Sequence, residues 1–295
     1  MRPFDDIVRL ERAEALDRPA AAIRGIVQRL LGNRTLKDAL HGVWLGHPLH
    51  PALAQVALGS LVSASLIDAV GGARRESSGL IAVGLASTVP TVAAGWADWS
   101  DSHEDQQRVG LVHAAVNVTA IACFTAALLR RRGDRGTGRL LSLLGGTLSV
   151  AGAALGGHLA YRQASGANHG EEIPHVGPGD WQTLGPLEDF PLGRPVRRIA
   201  RDVPVLVLRR GGIISDVTVL SNRCPHLSAP LHEGELSEVD GEVCITCPWH
   251  ASMFRLRDGG VVHGPATAPI PGFESRVEGG LLQARVRTLP GVPAS

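Results

Sequence analysis

Four stretches of this 295-residue chain contain no Lys, Arg, Asp or Glu: Pro51 to Ile67, Gly79 to Ala97, Val109 to Leu129 and Leu140 to Tyr161. A helix needs about 20 apolar residues to cross a hydrocarbon layer of roughly 30 Å, and these runs approach or exceed that length. Short charged connections separate them: GARRESS, DWSDSHEDQQR and RRRGDRGTGR. None of the four has a polar stripe to turn toward water, so a four-helix transmembrane bundle is expected over residues 41–162. Ahead of it, MRPFDDIVRLERAEALD mixes acids and bases without an apolar core and does not match a cleavable signal peptide. Residues 1–40 are therefore expected to form a cytosolic or interfacial helical segment. Within it, Ala20 to Leu31 gathers Ile23, Ile26, Val27, Leu30 and Leu31 on one side of a helix that ends at Gly32-Asn33, either lying at the interface or packed on the bundle.

From Trp181 onward the pattern changes. Charges recur every few residues and apolar positions alternate, as in PVLVLRR, GEVCITC and SRVEGGLLQARV, with Asp-Gly and Gly-Gly at the turns. That is the period and the turn chemistry of antiparallel strands. The fold class expected is thus two-domain: an all-α transmembrane bundle, a linker over 163–180, an all-β domain over 181–288 and a tail over 289–295. The formal net charge is +1 with both signs interleaved, so no basic face is available for nucleic acid. Four cysteines at 123, 224, 244 and 247 are too few and too uneven for a disulfide framework, and metal ligation explains at least two of them better.

Those two stand in CPH, residues 224–226, and CPWH, residues 247–250, separated by twenty residues. Each motif brings one thiolate and one imidazole. A zinc finger spacing pairs Cys with Cys and His with His, whereas a [2Fe–2S] centre in which two His replace two Cys needs a mixed pair of this kind. The context, SNRCPHLSAPL and then CPWHASMFRLRDGGVVHGPATAPIPGFE, resembles the Rieske family from about Trp181 to Val286. The resemblance implies a β-sandwich carrying two cluster loops and a proline-rich loop, with Cys224 and Cys247 on one iron and His226 and His250 on the other. It also implies a departure. Ala229 and Trp249 occupy the positions where quinol-oxidising members place a disulfide between the loops, so this domain is similar to the ferredoxin and oxygenase branch. Ser252 is placed to hydrogen-bond a cluster sulfur and ease reduction. Cys244 and Cys123 are expected to be buried small apolar residues. With the chain ending at Ser295, no oxygen-activating iron domain is expected.

The bundle half, about His41 to Arg162, resembles an uncharacterised family of bacterial four-helix membrane proteins with an HPxHP-like motif, here GHPLHP at residues 46–51. Because successive spans alternate direction, His47 and His50, His103 and His113, and His158 are all expected at one membrane face. With Trp44, Trp96 and Trp99 they form either an interfacial polar belt or a functional site. In the functional reading, His47 or His50 joins His113 and His158 as axial ligands of a haem b or as a quinone site. Asp68 and Gln55 are candidates for a polar path. Arginines flank the spans on both sides once the N-terminal tail is counted, which leaves the side of the C-terminal domain open.

The function expected is a multi-pass protein of the bacterial cell membrane that passes single electrons between a membrane redox partner, haem or quinone, and an acceptor protein. Two alternatives stand beside it: an anchored ferredoxin serving a separately encoded oxygenase, and a redox-sensing membrane protein. Glycines and other small residues in the spans suit close helix packing, within the chain or between copies.

Overall fold

The computed structural model describes residues 5–131, 133–211 and 216–287, so the expected tail over 289–295 lies outside the described residues. The chain divides into two compact units, residues 1–42 with 48–166, and 43–47 with 167–295.

The first unit begins with three short helices: α1 (Asp5–Glu11), α2 (Asp17–Leu30) and α3 (Arg34–His41). The Asn33 side chain caps α3 by accepting from the Leu36 N–H at 3.0 Å, and Gly42, at φ 82°, closes it. Four long helices follow: α4 (Leu49–Ala69), α5 (Arg74–Ser100), α6 (Glu104–Arg130) and α7 (Arg135–Gly157), the last continuing as a wider turn over His158–Arg162. All four are long and apolar enough to cross a membrane. They overrun the uncharged stretches at their ends, where charged side chains can reach the interface.

Their packing is inverted relative to a water-soluble bundle. Val56, Leu66, Val83, Val89, Val118, Leu144 and Val150 point outward, while Ala57, Ala64, Ala94, Ala97, Ala120, Ser65, Ser77, Ser142 and Ser149 are buried inside. Without a hydrophobic drive between helices in lipid, small residues and internal hydrogen bonds hold the interfaces together. The Ser65 hydroxyl, for instance, donates across to the Ser142 carbonyl at 2.8 Å. A Cβ on Gly84 would fall 2.6 Å from Leu61 Cγ, and one on Gly145 2.9 Å from the Phe124 ring, so these contacts require glycine.

Segment α2 packs on the bundle through buried Ala20 and Val27, and Arg108 of α6 clasps the Asp17 carboxylate with two hydrogen bonds at 2.6 and 2.8 Å. Asp68, expected on a polar path, is instead ion-paired with Arg131. That guanidinium also donates to the hydroxyls of Ser77 at 2.9 Å and Ser78 at 3.2 Å. It sits at the far end of α4 from His50, about 27 Å along the axis, which removes it from any path to the histidines.

The second unit is a set of antiparallel sheets: β1 (Gln182–Pro186), β2 (Val196–Ala200), β3 (Val203–Arg209), β4 (Val217–Ser221), β5 (Glu235–Val239), β6 (Glu242–Thr246), β7 (Met253–Arg255), β8 (Val261–His263), β9 (Phe273–Glu278) and β10 (Leu281–Val286). They pair in the orders β1-β10-β9, β2-β3-β4 and β5-β6-β7-β8. Tight turns at Asp240-Gly241 and Gly279-Gly280 carry positive φ at both positions, as two-residue hairpins require. One core gathers Phe190, Val205, Val207, Phe273 and Leu282, and a second gathers Leu206, Leu208, Leu231, Ile245, Phe254 and Leu256. The two sets alternate along β3, so that strand is buried on both faces.

The expected linker needs correction. Residues 167–180 belong to the second unit, and Ile173, on the short helix α8 (Ile173–Val176), is 1% exposed within its first core. The segment has the Gly- and Pro-rich composition of a linker. It carries an apolar anchor that the sequence reading passed over.

Removing one partner of a buried ion pair leaves the other charge uncompensated, at a cost of about 3–5 kcal/mol. Arg131→Met is accordingly expected to lower bundle stability by about that much in detergent unfolding, and Asp68→Asn combined with Arg131→Met to recover most of it.

Candidate functional site

Two loops of the second unit are built on the same backbone plan. In the first, between β4 and β5, the Cys224 N–H donates to the Ala229 carbonyl at 2.9 Å and the Ser228 N–H to the Cys224 carbonyl at 2.9 Å. In the second, between β6 and β7, the Cys247 N–H donates to Ser252 at 2.7 Å and the Ala251 N–H to Cys247 at 3.2 Å. The fourth residue after each cysteine takes a left-handed conformation, Ser228 at φ 66° and Ala251 at φ 57°. Non-glycine residues rarely adopt that region, and here two do so at matching places beside the motif residues. The loops differ in one respect: the histidine is two residues after the cysteine in the first and three in the second.

The equivalent loops bring the four motif side chains together. Cys224 and Cys247 are buried and their sulfurs share a hydrogen bond. That shared bond, together with burial, pushes the Cys224 thiol well up from its ordinary range. The same bond, with the N–H groups of Trp249 and His250, lowers Cys247 to about 7 against its burial. The His226 and His250 rings stand edge to face, centroids 5.0 Å apart. Backbone N–H groups of His226 and Leu227 point at the Cys224 sulfur, as those of Trp249 and His250 do at the Cys247 sulfur. Such donors stabilise thiolate charge.

Neighbouring segments brace the loops. The Asn222 carboxamide accepts from the His232 N–H at 2.8 Å. The His169 N–H donates to the Pro225 carbonyl at 2.8 Å, and Arg223 pairs with Glu172, so the segment misread as a linker clamps the first loop. Fully buried Ser252 accepts from the Ala266 N–H at 2.9 Å, tying the second loop to the proline-rich segment and leaving the hydroxyl proton available to donate. Cys244 is buried on β6 and Cys123 is half-buried in α6.

Among the described residues, no three His, Cys, Asp or Glu side chains converge as one metal ion would need. The donor set suits a binuclear centre better, because each metal then takes only two ligands from the protein. Two soft thiolates and two imidazoles on short, braced loops fit that demand.

Residues 180–274 match the family model described as the Rieske [2Fe-2S] domain, and residues 46–169 match one described as a predicted membrane protein, DUF2231. The anthranilate 1,2-dioxygenase ferredoxin subunit of Burkholderia cepacia is 29% identical over 107 residues, 36% of this chain and 93% of that protein. The 3-phenylpropionate/cinnamic acid dioxygenase ferredoxin subunit of Shigella flexneri is 33% identical over 95 residues, 32% of this chain and 83% of that protein. The solved ferredoxin of carbazole 1,9a-dioxygenase from Nocardioides aromaticivorans is 25% identical with a TM-score of 0.32, over 36% of this chain and 98% of that one. Through its C-terminal unit the chain belongs to the Rieske [2Fe-2S] family, as a ferredoxin-like electron-transfer domain joined to a predicted membrane domain.

The bundle encloses a cavity that gathers two of the histidines singled out in the sequence. This cavity, of about 400 Å³, lies among α4–α7, lined by apolar groups together with His50, Gln55, Trp96, Asp98 and His113. His50 Nδ1 lies 2.9 Å from the Thr91 carbonyl, and His113 Nδ1 lies 2.9 Å from the Gly152 carbonyl. The residue one turn beyond each carbonyl is glycine. A Cβ on Gly95 would meet the His50 ring at 2.8 Å, and one on Gly156 the His113 ring at 3.2 Å. A carbonyl only accepts, so each Nδ1 carries the proton and each Nε2 presents a lone pair. The ring centroids are 6.4 Å apart.

Of the four histidines proposed from sequence, the structure thus brings two together. His158 Nε2 is 2.7 Å from the Glu11 carboxylate, a contact that fastens α1 to the end of α7, and His158 does not line the cavity. His47 falls in the segment 43–47 grouped with the second unit.

The sequence reading missed His41, Asp98 and Asp101. His41 is buried, its Nδ1 2.7 Å from Asp98 and its Nε2 3.2 Å from Asp101, which pairs in turn with Lys37 at 2.7 Å. The available signal was the pair of acids three residues apart, flanked by tryptophans, at the end of a span. Burial alone lowers the His41 pKa, but the hydrogen bonds to Asp101 and Asp98 outweigh it and raise it to about 9. The His41 and Lys37 contacts hold Asp101 below its ordinary value despite burial. A raised histidine stabilises the fold fully below its unfolded pKa and loses that contribution as pH rises through its folded one. Bundle stability is therefore expected to fall between pH ~6.5 and ~9 by up to about 3 kcal/mol, a loss that His41→Asn abolishes in thermal unfolding across that range.

Proposed function

We propose that Cys224 and Cys247 hold one iron and His226 and His250 the other iron of the [2Fe–2S] centre. On this reading the chain is a multi-pass protein of the bacterial cell membrane that passes single electrons between a membrane redox partner, haem or quinone, and an acceptor protein. The observation that carries it is the convergence of four side chains from two loops of one backbone plan, each giving one sulfur and one ring nitrogen. When bound, the centre supplies reversible one-electron chemistry at a fixed place. The protein's part is to hold the ligands still. Bracing by Asn222, His169 and Ser252 keeps both loops in place, so little reorganisation accompanies a change of charge. The backbone N–H groups direct positive dipole ends at the cysteine sulfurs, and a Ser252 hydroxyl donating to a sulfur of the centre would add to them, favouring the reduced, more negative state.

The relatives are ferredoxin subunits of dioxygenases, which favours an oxygenase or reductase component as the acceptor protein. In the corresponding second reading, the bundle is only an anchor for such a ferredoxin.

His226→Ala or His250→Ala in the purified full chain is expected to abolish the rhombic low-g electron paramagnetic resonance signal while the bundle still inserts. An unchanged signal in either variant removes the ligand assignment. Ser252→Ala is expected to retain the signal and to lower the midpoint potential by about 60 mV, the one-electron equivalent of a tenfold change, in a redox titration.

A further inference from the structure

We propose that the cavity among α4–α7 binds a lipid-soluble hydroquinone, its hydroxyl groups donating to Nε2 of His50 and His113, with Asp98 as a second proton acceptor. This deepens the reading of the bundle as a redox partner and rests on residues of the first unit alone.

Three observations select the ligand class. The carbonyl contacts of the two Nδ1 atoms leave two lone-pair nitrogens facing a largely apolar cavity, so the polar groups of the ligand must be hydrogen-bond donors or a metal. Asn117 Nδ2 lies 3.3 Å from both ring nitrogens of His113, which places it over the ring face and leaves the in-plane lone pair of Nε2 available. The only ionisable groups in the lining are His50, His113 and Asp98, with no Lys or Arg. An uncharged aromatic diol on an apolar tail suits such a lining, because it brings no charge that would have to be buried there.

The third observation is the acid at the cavity edge. Asp98 lines the cavity and contacts His41 Nδ1 at 2.7 Å; His41 Nε2 is 3.2 Å from Asp101, which Lys37 pairs at 2.7 Å. When the hydroquinone is oxidised to the quinone, its two O–H bonds break, and two protons and two electrons leave. The electrons pass one at a time to a one-electron iron oxidant. The protons go to Nε2 of a cavity histidine and to Asp98. Asp98 is held at the edge of the cavity by the His41 Nδ1–H at 2.7 Å and takes up the second proton on its other oxygen.

The test uses the full chain in lipid nanodiscs with decylubiquinol kept reduced under argon, read by the fluorescence of Trp96 and Trp99 in the lining. Saturable quenching is expected for the native chain, with affinity at least tenfold weaker in His50→Leu and in His113→Leu. With decylubiquinol and ferricyanide, Asp98→Asn is expected to slow oxidation tenfold or more while weakening binding much less. Non-saturating quenching by the native chain overturns the proposal whatever the variants do. So does a Soret band in the native protein that is lost in His50→Leu, which gives the rings to a haem. Neither result bears on the iron signal of the second unit, so the two readings fail separately.

Discussion

Two cysteine sulfurs buried within hydrogen-bonding distance of one another are the arrangement on which the second unit depends. The hydrogen bond between the sulfurs, with burial, drives the Cys224 thiol up, and the same bond lowers Cys247 to about 7. Backbone N–H groups aimed at each sulfur favour a second thiolate only in part. A cationic centre between the sulfurs would favour it fully, and the loops that would hold one are braced on several sides. The cores beneath, with Phe254, Leu256 and Ile245 on one side and Phe273 and Val205 on the other, keep the strands that launch the loops in register.

The first unit answers a related problem with different means. Lipid offers no water to an orphaned polar group, so each imidazole in the spans needs an internal partner. His50 and His113 find theirs in carbonyls already used by the helices, and His158 in a carboxylate from α1. His41 shows what solving this with charge requires: two acids, Asp98 and Asp101, favour its cationic form against burial, and Lys37 pairs with Asp101 in turn. Both units therefore place their polar chemistry where the local backbone can hold it.

Much of this was legible in the sequence. The four spans showed in their lack of charge, and the mixed Cys and His motifs named the loops before any geometry was known. The hairpins followed from Asp240-Gly241 and Gly279-Gly280. What stayed hidden had no local signature. Ser228 and Ala251 adopt a conformation usually left to glycine, so the shared loop plan cannot be read from residue type. Residues 167–180 look like a linker until Ile173 is seen in the core and Glu172 against Arg223. The pairing of His158 with Glu11 joins residues 147 positions apart, and periodicity carries no information at that range.

The brackets around His50 and His113 are made of main chain: a carbonyl, and one turn later a residue without a Cβ. Nothing in them depends on the identity of the side chains that line the rest of the chamber. Substitutions among those neighbours can reshape the chamber while the two rings keep their aim. Chamber shape and ring placement are thereby separable traits.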